Sequence, residues 1–336
     1  MRTAIAFAIL VMASVAALGV AFQKTPTSGV WPFVPAAQSR PANPVETVGA
    51  SRGPRVPRRT ADAGRAASPV MPAPTCDNPN ALGVSRVVEI DTSGGPGFGF
   101  EQFKGYDFLK PNEVVLTFDD GPWLNSTPLV LKALADQCVK ATFFAIGKHA
   151  TYYPEILKQV AQQGHTVGSH TWSHKDLSKM PIDAAKEEIE KGVSAVKWAL
   201  GGAPIAPFFR FPALRMTPQL VTYLGERNIA MFSTDMDSFD FKVHKPEQVI
   251  KSVMDKLTKR GKGIVLLHDF HINTAHALPE LLAELKQRGF KVVQLKARDT
   301  VESIAQYDDM IAKDQAVSTI ADQRPMSSVV HTVAGQ

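Results

Sequence analysis

Two adjacent carboxylates, Asp119 and Asp120, close a short apolar run in Thr117-Phe118-Asp119-Asp120-Gly121-Pro122. Side by side they repel each other unless something positive stands beside them. A metal ion meets that need: one carboxylate binds it and the other acts on a water bound to it. Further on, His170-Thr171-Trp172-Ser173-His174 places histidines at i and i+4. They share a face if the segment turns helically, and the spacing suits two ligands of one ion. Asp120, His170 and His174 thus form an Asp-His-His set with open positions, suited to zinc and also to cobalt, nickel or manganese.

Three more short segments carry reactive types. Arg210-Phe211-Pro212 places a guanidinium where it could hold a carboxylate bidentately. Asp237-Ser238-Phe239-Asp240-Phe241 is a dense acidic stretch after an apolar run. Leu266-Leu267-His268-Asp269 offers a histidine as general acid, its tautomer and pKa set by a neighbouring carboxylate. A turn, a surface ion pair or a core histidine explains any one of these alone. Five at successive strand ends ask for a common cause.

The elements that must position them are legible as an alternation. Apolar or β-branched runs fall at 114–118, 141–146, 166–169, 208–211, 229–234, 264–267 and 291–295, and an eighth candidate strand at 87–90. Helix-length amphipathic segments lie between them, at 127–137, 152–163, 182–200, 217–226, 246–260 and 276–288. Gly164, Gly225, Gly261 and Gly289 stand where helices should end. About seven strands alternating with helices predict an α/β fold, a distorted (β/α) barrel of parallel strands in a single catalytic domain. In such barrels reactive residues collect in the loops after the strands, and all five segments lie there.

Composition bounds the rest. With 336 residues, 44% hydrophobic and 21% charged, the chain fits a soluble globular core. The formal charge of +5 sits outside that core: 24–75 holds seven Lys or Arg against two acids, whereas from Cys76 onward 29 bases face 30 acids. Nothing there argues for nucleic acid. Residues 1–23 read as an export signal or an uncleaved membrane anchor, with Arg2 before an apolar run from Ala4 to Ala21. Residues 24–75, rich in Pro, Ala and Arg, read as a disordered linker. The domain proper takes 76–307, and 308–336 reads as a flexible tail. The glycines 94, 95, 97 and 99 precede no helix and read as a loop into the domain. Outside the cytoplasm Cys76 and Cys138 either pair or leave Cys138 a plain buried thiol.

The ordered series TFDDGP, HTWSH, RFP, DSFDF and LLHD closely resembles the five motifs of the polysaccharide deacetylase family, the NodB-homology domain of carbohydrate esterase family 4. The resemblance covers about residues 110 to 300. It implies a divalent metal, usually zinc, and removal of acetyl groups from chitin-type glycans, peptidoglycan or related polymers. By position it implies Asp119 as general base and Asp120, His170 and His174 as metal ligands. Arg210 would hold Asp119, His268 would be the general acid, and Asp240 would orient it. Leu266 resembles the residue that lines the acetyl-methyl pocket. Ala213 departs from the family pattern, which usually has an aromatic residue there; its backbone N–H can still face the oxyanion, but the ring is lost. Phe241 stands where tryptophan is common.

Other histidines take plainer readings. His149, His165 and His244 follow no ligand spacing, His271 and His276 are candidates to line a groove, and His331 falls in the tail. Two alternatives share the same residues: an esterase acting on O-acetyl groups of glycans, and a glycan-binding homologue with weak or no turnover.

Overall fold

The computed structural model describes residues 76–322. Its elements run β1 (Arg86–Ile90), β2 (Gly97–Phe98), β3 (Glu113–Asp119), α1 (Thr127–Asp136), β4 (Thr142–Ala145), α2 (Gly147–Tyr152), α3 (Pro154–Gln162) and β5 (Thr166–Ser169). There follow α4 (Ile182–Ala199), β6 (Phe208–Phe209), α5 (Pro218–Glu226), β7 (Ala230–Phe232) and β8 (Met236–Asp237). The described residues close with α6 (Pro246–Arg260), β9 (Gly263–His268), α7 (Ile272–Gln287), β10 (Lys291–Ala297) and α8 (Ala305–Asp322). Every ladder among these residues is parallel.

The hub is β3. Along one edge, Val114–Asp119 pair with Gly263–His268 of β9. The other edge is shared, Glu113 and Val114 pairing with β10 and Thr117–Asp119 with β4. From β4 the sheet continues through β5, β6 and β7, while β8 pairs with β9 from the other side. No ladder joins β7 to β8, so the barrel is closed except at that seam. This is the distorted α/β barrel that the alternation of elements predicts.

The two-residue period of β3 explains where the core sits. Val114, Leu116 and Phe118 face the helices and join the larger apolar cluster. Val115 faces the barrel interior with Phe144, Phe208, Phe232 and Ile264, and on the same face Thr117 and Asp119 climb towards the mouth. All seven residues of β3 are buried. At about 25 cal/mol per Å² of apolar surface, each such aliphatic side chain contributes roughly 1.5–3 kcal/mol.

Four expectations change. The helix read at 152–163 starts at Pro154 as α3, and a separate short helix, α2, precedes it. The break falls at Tyr153, which takes a non-helical φ of −132° and ψ of 57°, before Pro154, which has no N–H to continue a helix. The helix read at 276–288 begins at Ile272 and carries Pro279 inside it. The glycine-rich loop holds β2, which pairs with β7. Gly97 and Gly99 let it approach: a Cβ at Gly97 would lie 2.2 Å from the Phe103 ring, and one at Gly99 would lie 2.7 Å from the Ser233–Thr234 backbone. Residues 308–322, read as a loose tail, belong to α8, with Ile311 fully buried and Asp308 and Asp314 paired to Lys197 and Lys191 of α4. The expectations for 1–23 and 24–75 lie outside the described residues.

Cys76 and Cys138 form a disulfide, Cα–Cα 5.6 Å, tying the segment before β1 to the end of α1. No described helix is long and apolar enough to cross a membrane.

Candidate metal and catalytic site

Each reactive segment ends a strand, and the parallel sheet brings those ends to one mouth. In the β3–β9 register Asp119 lies opposite His268. Asp119, Asp120, His170, His174 and His268 all open on one cleft of about 360 Å³. Leu266, Ala213 and Phe241, read as substrate-binding, line the same cleft. Arg210 and Asp240 stand behind it.

Asp120 Oδ1 lies 3.5 Å from Nε2 of His170 and 3.4 Å from Nε2 of His174. Those separations are long for hydrogen bonds, and the buried Oδ1 has no hydrogen-bond partner. Donors each about 2.0–2.1 Å from one tetrahedral ion stand about 3.4 Å apart, so the spacing fits a shared cation. One ligand atom from each of the three residues lies within 4.8 Å of the others. The His170 Nδ1–H donates to the Arg210 carbonyl at 2.7 Å, which turns the Nε2 lone pair to the site. Burial pulls the His170 pKa down to about 3, keeping the ring neutral and able to bind a cation. The donor set of one carboxylate and two imidazoles therefore suits a divalent ion such as zinc.

The loop between the two histidines is not helical. Thr171 and His174 take left-handed φ values of 70° and 58°. The turn is held from three sides. His174 N–H donates to Thr171 Oγ1, Ser173 N–H and Oγ–H donate to the Glu188 carboxylate, and the first N–H groups of α2 donate to the Thr171 and Trp172 carbonyls. Helix α4 reaches the loop because residue 192 is glycine: a Cβ there would stand 2.5 Å from Thr171 backbone carbon.

Behind the ligands, Asp119 is 2% exposed and Arg210 fully buried. Their contact is through one nitrogen, not the two expected. Nη1 donates to Asp119 Oδ1 at 2.7 Å and to Thr117 Oγ1, while Nη2 and Nε donate to the Ser233 and Phe232 carbonyls. The guanidinium also lies over the Phe144 ring, 4.4 Å from its centroid. Burial raises the Asp119 pKa, and Arg210 opposes that rise.

His268 donates from Nδ1 to Asp240 Oδ1 at 2.7 Å, and its backbone N–H donates to Asp240 Oδ2 at 2.8 Å. Thr274 Oγ1 completes the carboxylate's shell. Burial pulls the imidazole pKa down, but Asp240, with Asp120 and Asp119 nearby, lifts it to about 9. The ring therefore carries a proton at neutral pH and points Nε2 towards Asp120 Oδ2, 4.0 Å away.

Three residues without a role in the sequence reading stand close by. His149 donates from Nδ1 to the Asp120 carbonyl at 2.5 Å. Asp269 is buried directly behind Gly121, and burial lifts its pKa to about 7. Asp237 lines the cleft, its pKa raised by burial. Only the adjacency of Asp269 to His268 in LLHD hinted at the second. His271 lines the cleft, whereas His276 lies exposed on α7 and His244 is exposed; His165 is a core histidine that accepts the Ala141 N–H. His331 lies outside the described residues.

Comparison with known proteins agrees with this geometry. The family model described as polysaccharide deacetylase matches residues 109–231. A peptidoglycan-N-acetylglucosamine deacetylase of Bacillus cereus is 32% identical over 205 residues, covering 59% of this chain and 73% of the relative. A chitooligosaccharide deacetylase of Azorhizobium caulinodans is 32% identical over 161 residues, covering 47% of this chain and 74% of that protein. Among solved structures, a Bdellovibrio bacteriovorus peptidoglycan deacetylase superposes with a TM-score of 0.59 at 34% identity. That match covers 66% of this chain and 61% of the solved one, so the chain spans less than two thirds of it.

Proposed function

This chain belongs to the polysaccharide deacetylase family, and from that membership we propose that it hydrolyses N-acetyl groups of amino sugars in a peptidoglycan- or chitin-type glycan, releasing acetate. The observation that carries the proposal is the meeting of three pairs of features at one cleft. The unpartnered Asp120 Oδ1 faces two imidazoles, a buried carboxylate is held by Arg210, and a protonated His268 is held by Asp240.

Asp120, His170 and His174 would hold the ion, with zinc the first choice for one carboxylate and two imidazoles. A divalent ion bound there supplies Lewis-acid polarisation of the acetamide carbonyl and makes a nearby water more acidic. Asp119, oriented by Arg210, takes the proton of the attacking water. Ala213, at φ 51° on the cleft wall, offers its backbone N–H to the developing oxyanion. Leu266 gives the acetyl methyl an apolar neighbour, and Phe241 supplies an aromatic wall for the sugar. His268 gives its proton to the departing amine, Asp240 stabilising the imidazolium until it does so.

The reading places the protein outside the cytoplasm. A disulfide persists in an oxidising compartment, and the apolar run 4–21 supplies an export signal or anchor. The test is acetate release by the zinc-loaded protein from chitin oligomers, peptidoglycan and acetylated xylan in parallel. Release from an amino-sugar polymer supports the proposal and selects the substrate class. Release from xylan alone turns it to an O-acetyl esterase, and no release with zinc bound turns it to a glycan-binding homologue.

A further inference from the structure

Asp120 takes a left-handed φ of 75°. A non-glycine residue keeps that conformation only where its surroundings over-determine it. Four hydrogen bonds grip Asp120 and Gly121. Two come from β4 and its end: Asp120 N–H donates to the Phe144 carbonyl, and Ile146 N–H donates to the Gly121 carbonyl. Most side chains at those positions would allow such backbone pairs. The other two depend on particular side chains: His149 Nδ1–H donates to the Asp120 carbonyl at 2.5 Å, and Gly121 N–H donates to Asp269 Oδ1 at 3.0 Å.

Asp269 pins the loop at both ends. Its Oδ2 accepts Thr127 Oγ1–H at 2.6 Å, and the Thr127 hydroxyl oxygen in turn accepts the Trp123 N–H at 2.8 Å. The carboxylate is 1% exposed and fits against the loop so closely that a Cβ on Gly121 would lie 2.0 Å from it. The His149 ring is braced edge-on by Trp123, centroids 5.0 Å apart.

We propose that His149 and Asp269 are positioning residues for Asp120, holding its backbone in the one conformation from which Oδ1 meets Nε2 of His170 and His174. The inference rests on Asp120 being a metal ligand. Neither residue touches the substrate or the ion; both act through the peptide on either side of the ligand.

The test uses zinc affinity of the full chain, measured by competition with a chromophoric chelator and without turnover. His149→Ala and Asp269→Ala should each weaken zinc binding about tenfold to a hundredfold. Asp269→Asn should keep affinity within about threefold, because its amide still accepts from Gly121 and donates to Thr127. Thermal melting of the zinc-free proteins separates folding from positioning. A lower melting point with zinc affinity unchanged in the folded fraction overturns the proposal. So does an Asp269→Asn affinity as poor as that of Asp269→Ala, which would make the charge and not the hydrogen bonds the active feature. If Asp269→Ala does not fold, His149→Ala and Asp269→Asn decide. Asp120→Ala is the control: if it leaves zinc affinity unchanged, it is the ligand assignment that fails.

Discussion

At Asp119 burial and charge oppose each other, burial raising the carboxyl and Arg210 drawing it back from 2.7 Å away. Asp119→Asn keeps the shape of that contact but removes the basic oxygen. Acetate release should fall at least about a thousandfold, while chelator competition shows zinc affinity within a few fold of the unaltered protein. His268 sets the other limit. With its value lifted to about 9, kcat/KM should fall as pH rises through that point, because the amine then finds no proton donor. Asp240→Asn removes the partner responsible for the lift and should move this alkaline limb to lower pH. The same shift bears on folding. The folded imidazole titrates above its ordinary 6.5, so the contact stabilises the fold fully below that pH, and the contribution disappears as pH rises through about 9. Urea titrations of the zinc-free protein at several pH values measure it.

At the level of elements, the loop after β5 depends on a helix that contributes no ligand. Helix α4 supplies Glu188 to Ser173 and presents Gly192 against Thr171. Gly192→Ala forces a Cβ into that backbone. It should cost about 1–3 kcal/mol of stability and weaken zinc binding, through displacement of His174. Calorimetry and chelator competition read the two effects separately. This loop also shows how far the sequence could be read. His170 and His174 could be paired from spacing alone, but the helical turn invoked to join them is really a left-handed one held by Thr171 and Glu188. Strands buried on both faces, such as β3, announce themselves as unbroken apolar runs. Two-residue strands such as β2 and β8 are too short to show a period. Helix α8 has no legible pattern because its polar residues do not follow one face; Ile311 and two ion pairs to α4 hold it. The roles of His149 and Asp269 rest on hydrogen bonds to backbone, and no residue spacing encodes those.

For the whole molecule, the disulfide is a covalent cross-link between the segment before β1 and the end of α1. It joins residues 62 apart, and the loop it closes should be worth about 4 kcal/mol through the entropy of the unfolded chain. Reduction, or Cys76→Ser with Cys138→Ser, should lower stability in denaturant by about 2–4 kcal/mol. Zinc affinity should remain unchanged, since neither cysteine borders the cleft. Unchanged stability would mean that the leading segment comes free in the native state once the cross-link is cut, so that native and unfolded chains gain the same freedom.

The position of β3 also sets an order in time. All three candidate ligands have been synthesised by residue 174, yet β3 obtains a complete edge only when β9, at Gly263–His268, arrives. Its short pairing with β10 comes later still. A nascent chain that has displayed Asp120, His170 and His174 therefore has β4 beside Asp119 but is still without β9, the strand that brings His268 opposite it. Contacts this distant in sequence close slowly. Zinc capture should accordingly lag behind synthesis, and a chain halted before residue 263 should carry the ligands without the pocket that holds them together.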